Sequence, residues 1–411
     1  MRFKHVTAMV LMVIFSFTSL ASGSSRRNIQ GHLGQVSYEV AGDRLILDNG
    51  TIGLNISRRL QVRPALLEDG RQLSFVSERG SRPAFHARFS GFDITDFLVD
   101  WDRLEVSQIE DELGAGVRFE IPAISGRYGL GDIRIEVMAS LALYEKFPAV
   151  VISGARFINL SRQTVRIDRL VGNYYRLDRR LLNPGSPAWR FASYHGAAYK
   201  WGEDYSVIRI EGDFEQKNFM GLKDRSDSEG NGGGTPLVDL WAPEMGMAIA
   251  SAEPSPQWIS LPVRTCSDGL VEMYVMEEPE ADLGQKATLG PGESCSTIRS
   301  ALILHRLDFH DPLRTYADLL RAQGIGIPLS SPPEAYIPYW KSWGFRKDFT
   351  LEQIYRALPQ LKRIGVLWAN LDDGWFTWYG DWEPNPAPGK FPGGEADMRA
   401  FVKRLHRQGF K

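Results

Sequence analysis

Apolar and polar residues alternate with a period of two over most of the chain, from about Gln35 to Arg306. The rhythm is clearest at Ile133, Ile135, Val137, Ala139, Leu141 and Leu143, which are interleaved with residues such as Arg134 and Glu136. A strand with one buried face requires that spacing. Leu45 to Leu47 and Ile52 to Ile56 flank Asn49-Gly50, and both turn residues tolerate positive φ, which predicts a hairpin. Phe147-Pro148 leads into the apolar run Ala149 to Ile152, after which Val165 and Ile167 alternate again. Many strands punctuated by Gly, Pro and Asp, with few helical stretches, predict a large antiparallel β-sandwich. The glycines at 230 and 232–234 lack the trailing Lys-Ser/Thr of a phosphate cradle, and Pro236 and Val238 lead into strand-like sequence. A surface loop is expected there.

The period then changes. Asp311-Pro312 predicts a helix start, with an N-cap acceptor and a proline at the first helical position, and Leu313, Tyr316, Ala317 and Leu320 share one face. Residues 324–333 hold two glycines, three prolines and two serines and are expected to connect two domains. Beyond them the pattern runs strand, helix, strand, helix. Ala335 to Trp343 and Val366 to Leu371 are the apolar runs. Thr350 and Gln353 form a capping-box pair ahead of Leu351, Ile354, Leu358 and Leu361, and Pro359 predicts a kink. Met398, Phe401, Val402 and Leu405 mark a second helix closed by Gly409, and Phe410-Lys411 looks like the entrance to a third strand. This alternation implies parallel strands. Two such strands cannot bury both faces of a sheet, and a (β/α)8 barrel takes about 250 residues, so the sequence reads as a fragment holding two of eight units.

The ends and the composition narrow the class. Arg2, Lys4 and His5 precede an apolar run from Val6 to Leu20, and the small residues Ala21, Ser22 and Gly23 follow. That order predicts a cleaved secretory signal, because the run is shorter than the roughly 20 apolar residues of a membrane span. The expected organisation is a signal peptide over 1–23, a β-supersandwich with a C-terminal connector helix over 24–323, a linker over 324–333 and the start of a barrel over 334–411. The expected location is secreted or periplasmic, with no membrane attachment after cleavage. A net charge of −2, with acids and bases interspersed, provides no basic stripe for nucleic acid. Export makes a Cys266–Cys295 disulfide the expectation. Asn49, Asn55 and Asn159 each begin an Asn-x-Ser/Thr triplet. The seven histidines and two cysteines show no ligand spacing, so no metal or organic cofactor is expected.

Candidate chemistry falls after the strands of the last segment, where parallel barrels carry their reactive loops. Trp340 and Trp343 follow the first strand, Asp372 and Asp373 follow the second, and Asp381-Trp382 lies in the next loop. Carboxylates accept paired hydrogen bonds from adjacent hydroxyls, and an indole face covers the apolar C–H patches of a sugar ring. Each residue has a second reading: Asp-Asp-Gly as a plain turn, Trp340 and Trp343 as core, Lys341 as a solvated surface lysine. Trp368 reads as core and Lys390-Phe391-Pro392 as a loop former.

Trp340-Lys341-Ser342-Trp343, Leu371-Asp372-Asp373-Gly374-Trp375-Phe376, Gly380-Asp381-Trp382, Lys390-Phe391-Pro392-Gly393 and His406-Arg407-Gln408-Gly409 occur in one order and spacing. In these motifs the chain resembles the opening of the barrel in α-galactosidases of glycoside hydrolase family 36. The resemblance implies a retaining hydrolase releasing terminal α-galactosyl units, with an oligosaccharide or galactoside as its partner and homo-oligomerisation left open. It implies that Asp372 and Asp373 hold hydroxyls of the ring and that Trp343 helps to wall the pocket; Trp340 and Trp382 stand beside them as further candidate substrate-binding residues. The family's nucleophile is an aspartate in a Lys-Trp-Asp motif after a later strand. This sequence has only Lys200-Trp201-Gly202, so no catalytic residue is assigned and the chain alone is expected to be inactive. Lys341 stands where the family commonly has Asn, which keeps α-N-acetylgalactosaminidase or galactosyl-transfer activity open. Two alternatives accompany this reading: a raffinose-synthase-like galactosyltransferase, and a carbohydrate-binding or structural sandwich with a vestigial barrel.

Overall fold

A computed structural model describes residues 29–129, 132–198, 207–220, 233–279, 286–326 and 333–411. The expected signal segment, Gly230, Gly232 and Lys200-Trp201 lie outside the described residues, and Gly233-Gly234 open the strand Gly233–Ala242 in place of the expected surface loop. The chain divides into two compact units, Met1–Ile325 and Gly326–Lys411.

The first unit is built of antiparallel sheets. Six strands from Gln30–Leu33 to Arg71–Leu73 form a meander in sequence order. Its central hairpin joins Arg44–Asp48 to Ile52–Ser57 through Asn49-Gly50, as the sequence predicts. The Asn49 side chain accepts from the backbone of Thr51 (3.0 Å) and Ile52 (2.8 Å), and Gly50 takes φ 82°, where a side chain would be strained.

An 11-stranded sheet has Ile135–Tyr144 and Phe147–Asn159 at its centre, and Ser300–His305 pairs with the latter. A 9-stranded sheet is centred on Val165–Leu177 and Val271–Glu277. Strand alternation sorts the side chains of Phe147–Asn159 to two faces. Val151, Ala155 and Phe157 join the main core, where Phe157 meets Phe89 edge-on at 6.0 Å. Val150 and Ile152 join a second cluster that receives Tyr316 and Leu319 from the helix His310–Ala322. Burial on both faces explains the apolar run Ala149 to Ile152 within this strand.

Two expectations are corrected here. The helix starts before Asp311: the Asp308 carboxylate accepts the His310 backbone N–H at 3.1 Å, so Pro312 falls inside the first turn. There its missing N–H leaves no bond unmade. Cys266 and Cys295 are free thiols. Cys295 lies in a strand paired with Phe157 in the 11-stranded sheet, whereas Cys266 follows a strand of the 9-stranded sheet and its thiol meets Arg176 and Glu272. Each thiol is committed to its own sheet.

In the second unit, Tyr339–Lys341 pairs in parallel with Trp368–Asn370, with Trp340 opposite Ala369. Both strands are shorter than the apolar runs suggest, because turns at Pro333–Tyr336 and Ser342–Asp348 take the ends of the first run. The helix Leu351–Arg363 opens with the expected capping box, Thr350 accepting from Gln353 N at 3.2 Å, and it runs unbroken through Pro359. The helix Glu395–Arg407 follows. Ile354, Leu358, Phe391, Phe401, Leu405 and Phe410 form the core of this unit. Lys411 brackets the second strand, donating to Leu367 O at 2.7 Å and accepting from Ala369 N at 3.1 Å.

Candidate functional site

The two parallel strands end side by side, and the loops that leave them carry the candidate residues. The chain turns at Ser342, whose side chain is fully buried. Its Oγ accepts the backbone N–H of Asp372 at 2.8 Å. Asp372 in turn accepts the Asp373 N–H through Oδ1 at 2.8 Å. The acid pair is therefore set on a hydrogen-bonded ledge reaching back to the first strand. Gly374 closes the turn with φ 97°, and a Cβ there would lie 2.6 Å from the Lys347 carbonyl oxygen. Only glycine fits at that position.

Each carboxylate is paired with a lysine. Lys341 Nζ lies 3.5 Å from Asp372 Oδ2, and Lys347 Nζ lies 3.0 Å from Asp373 Oδ2. The Tyr379 hydroxyl donates to Asp373 Oδ2 and accepts from Lys347 Nζ at 3.0 Å. This triangle shifts titration in the expected directions. The Tyr379 hydrogen bond, with Lys347 adding to it, holds the Asp373 carboxyl below the usual carboxylate range. Tyr379 and Asp373 together raise Lys347. The Lys347–Asp373 pair is therefore fully charged at neutral pH.

Lys390 secures the base of the site. Its ammonium donates to the carbonyl oxygens of Lys347 (2.5 Å) and Gly374 (2.9 Å) and lies over the Phe349 ring at 4.8 Å. Partial burial lowers its pKa. Phe391 is fully buried beside it, so Lys390-Phe391-Pro392 forms a structural clasp under the Asp-Asp-Gly turn.

The aromatic residues fall into three environments. Trp382, 62% exposed, stacks on Trp375 (6.3 Å, 30°) and meets Phe376 edge-on at 5.2 Å. Trp340 is partly buried against Phe345 and the core of the unit. Trp343 stands 47% exposed on the turn after the first strand. Asp381 accepts from the backbone of Trp378 and Glu383 and so shapes its own loop. Trp368 is partly buried and donates to Glu334 O at 2.7 Å.

The structure thus gathers Lys341, Asp372 and Asp373, and adds Lys347 and Tyr379, which sequence reasoning missed. Neither residue carries a motif signal of its own. Only their place in the two loops could have suggested them. Among the described residues no group of three or more His, Cys, Asp or Glu is arranged to hold a metal ion. As it stands, the site is a set of hydrogen-bond acceptors and donors, with exposed indoles on the loops that leave the same two strands, suited to a polyhydroxylated ring.

No family model matches the chain. A curated relative, the A type blood α-D-galactosamine galactosaminidase of Flavonifractor plautii, is 23% identical over 419 aligned residues, covering all of this chain and 35% of the relative. Among solved structures, the family 36 α-galactosidase AgaB of Geobacillus stearothermophilus matches with a TM-score of 0.52 at 16% identity, over 93% of this chain and 56% of that one. The galactosidase domain of the α-galactosidase–sucrose kinase AgaSK matches with a TM-score of 0.52 at 13% identity, over 90% and 55% respectively. The chain therefore spans about a third of the curated relative and just over half of each solved chain. In fold it resembles the N-terminal portion of family 36 α-galactosidases, as its motifs imply.

Proposed function

We propose that this chain supplies the β-sandwich and the first two βα units of a (β/α)8 barrel in a retaining, α-galactosidase-like glycoside hydrolase. The observation that carries this reading is the pair Asp372 and Asp373, held side by side after two parallel strands. Barrel enzymes place substrate-binding groups at that end. The two carboxylates accept hydroxyls of a terminal α-galactosyl ring, and Trp343, Trp340 and Trp382 bound its apolar face. Hydrolysis with retention needs two further carboxyl groups roughly 5–5.5 Å apart, and we assign neither role to a residue of this chain. The organisation over residues 1–23, 24–323, 324–333 and 334–411, and export directed by the first segment, belong to the same proposal.

A second reading, a hydrolase of α-linked galactosaminyl units, draws on the Flavonifractor plautii relative. Calorimetric or NMR titration of the 411-residue chain with galactose tests the site. Binding is expected in the wild type and at least about tenfold loss in Asp372→Asn, because hydrogen bonds to a charged group contribute about 1.5–3 kcal/mol. Unchanged binding in that variant would sink the assignment. A chromogenic α-galactoside should show no turnover by these 411 residues above that of the same variant.

A further inference from the structure

We infer that Lys341 and Lys347 are specificity-determining residues that make this site select a neutral, hydroxyl-bearing sugar over an amino sugar. The inference rests on the sugar-site reading above. Lys341 is paired with Asp372 at 3.5 Å and Lys347 with Asp373 at 3.0 Å, so two negative charges are balanced by two positive ones. Lys390 adds no third free donor, since its ammonium is spread over two backbone carbonyls. A protonated amino sugar therefore gains no net Coulombic attraction on entering. To reach either carboxylate it must come close to a like-charged lysine already paired with it.

A hydroxyl group fits such a couple without displacing the lysine. It carries one O–H donor and two acceptor lone pairs. It can donate to a carboxylate and accept from the adjacent ammonium at once. An ammonium group has donors only and leaves the lysine unanswered. The Tyr379 hydroxyl shows the pattern inside the protein: it donates to Asp373 Oδ2 and accepts from Lys347 Nζ. A sugar hydroxyl is expected to make the same pair of bonds.

The test is a titration of the 411-residue chain with galactose and with galactosamine at about pH 6, where an amine of this kind is protonated. Galactose should bind at least about fivefold more tightly. Each of Lys341→Met and Lys347→Met should raise the galactosamine-to-galactose affinity ratio by roughly fivefold, the range of one partly exposed ion pair. Lysine-to-arginine variants should restore the wild-type ratio. The lysine side chains are about half exposed, so their truncation leaves the core intact, and a loss of structure would weaken both sugars without changing their ratio. Equal binding of the two sugars by the wild type, or a ratio unmoved by either Met variant, overturns the inference while leaving the site in place. Failure of both sugars to bind overturns the sugar site and this inference with it.

Discussion

The buried hydroxyl of Ser342, at the end of the first parallel strand, accepts the backbone N–H of Asp372 at the end of the second, at 2.8 Å. A bond between the ends of two strands fixes where the acid pair points, because Asp373 is held in turn by Asp372. Ser342→Ala would leave that N–H without its acceptor, at a cost of about 1–3 kcal/mol. The expected result is a lower melting temperature together with weakened galactose binding. A variant that melts lower but binds galactose as the wild type does would show that the bond serves the fold alone.

Tyr379→Phe removes the chief cause of the low Asp373 pKa. An NMR titration should show the carboxyl moving up toward the ordinary range. A depressed folded pKa contributes stability that is present above the unfolded value and lost as pH falls through the folded one. The pair is solvent-exposed, so the readout is the titration curve and not the melting temperature.

Glu277 has the opposite sign. Burial pushes its carboxyl up to about 7, although it accepts the Ile298 N–H at 3.0 Å. The folded chain therefore holds this proton longer than the unfolded chain. Stability from this group is complete below about pH 4.5 and is lost as pH rises through about 7. Glu277→Gln should flatten denaturant midpoints between acid and neutral pH, by about 3 kcal/mol at most.

Thiol counting tests the two cysteines. After denaturation without reductant, a colorimetric reagent should find two thiols per chain. The native chain should react slowly at neutral pH, because burial, with Glu277 adding to it, pushes Cys295 to about 12, and burial also raises Cys266. A count of zero would restore the disulfide.

Phe391→Ala opens a cavity in the core of the second unit, at about 3–5 kcal/mol. Hydrogen exchange should accelerate across residues 333–411 while the sheets of the first unit stay protected.

The sequence made the framework legible where one local rule decides the outcome. Asn49-Gly50 had to turn, Thr350 and Gln353 had to cap, and the alternation through Leu141 and Leu143 had to face a core. It was less informative where a distant partner decides. The helix over His310–Ala322 begins after Phe309 with no side-chain cap, so Asp311 falls in its first turn instead of capping it. The apolar run Ala335 to Trp343 shortened to three residues in the strand because turns take both its ends. In the site, Asp372 and Asp373 were visible by their motif, and Lys341 was read as solvated. Lys347 and Tyr379 became visible only when two loops far apart in sequence met at one oxygen atom.

The amide of Asn159 lies wholly inside the protein, donating to the carbonyl oxygens of Gln163 (2.8 Å), Leu289 (3.0 Å) and Gly290 (3.2 Å). It also begins the triplet Asn159-Leu160-Ser161. In a host with glycosylating machinery, that nitrogen is a target only before residues 289–290 arrive, 130 positions later in the chain. A glycan attached in that interval would take the place of three internal bonds. The yield of such a host would then depend on a race between an enzyme and a strand, which Asn159→Asp would end at the cost of the donors themselves.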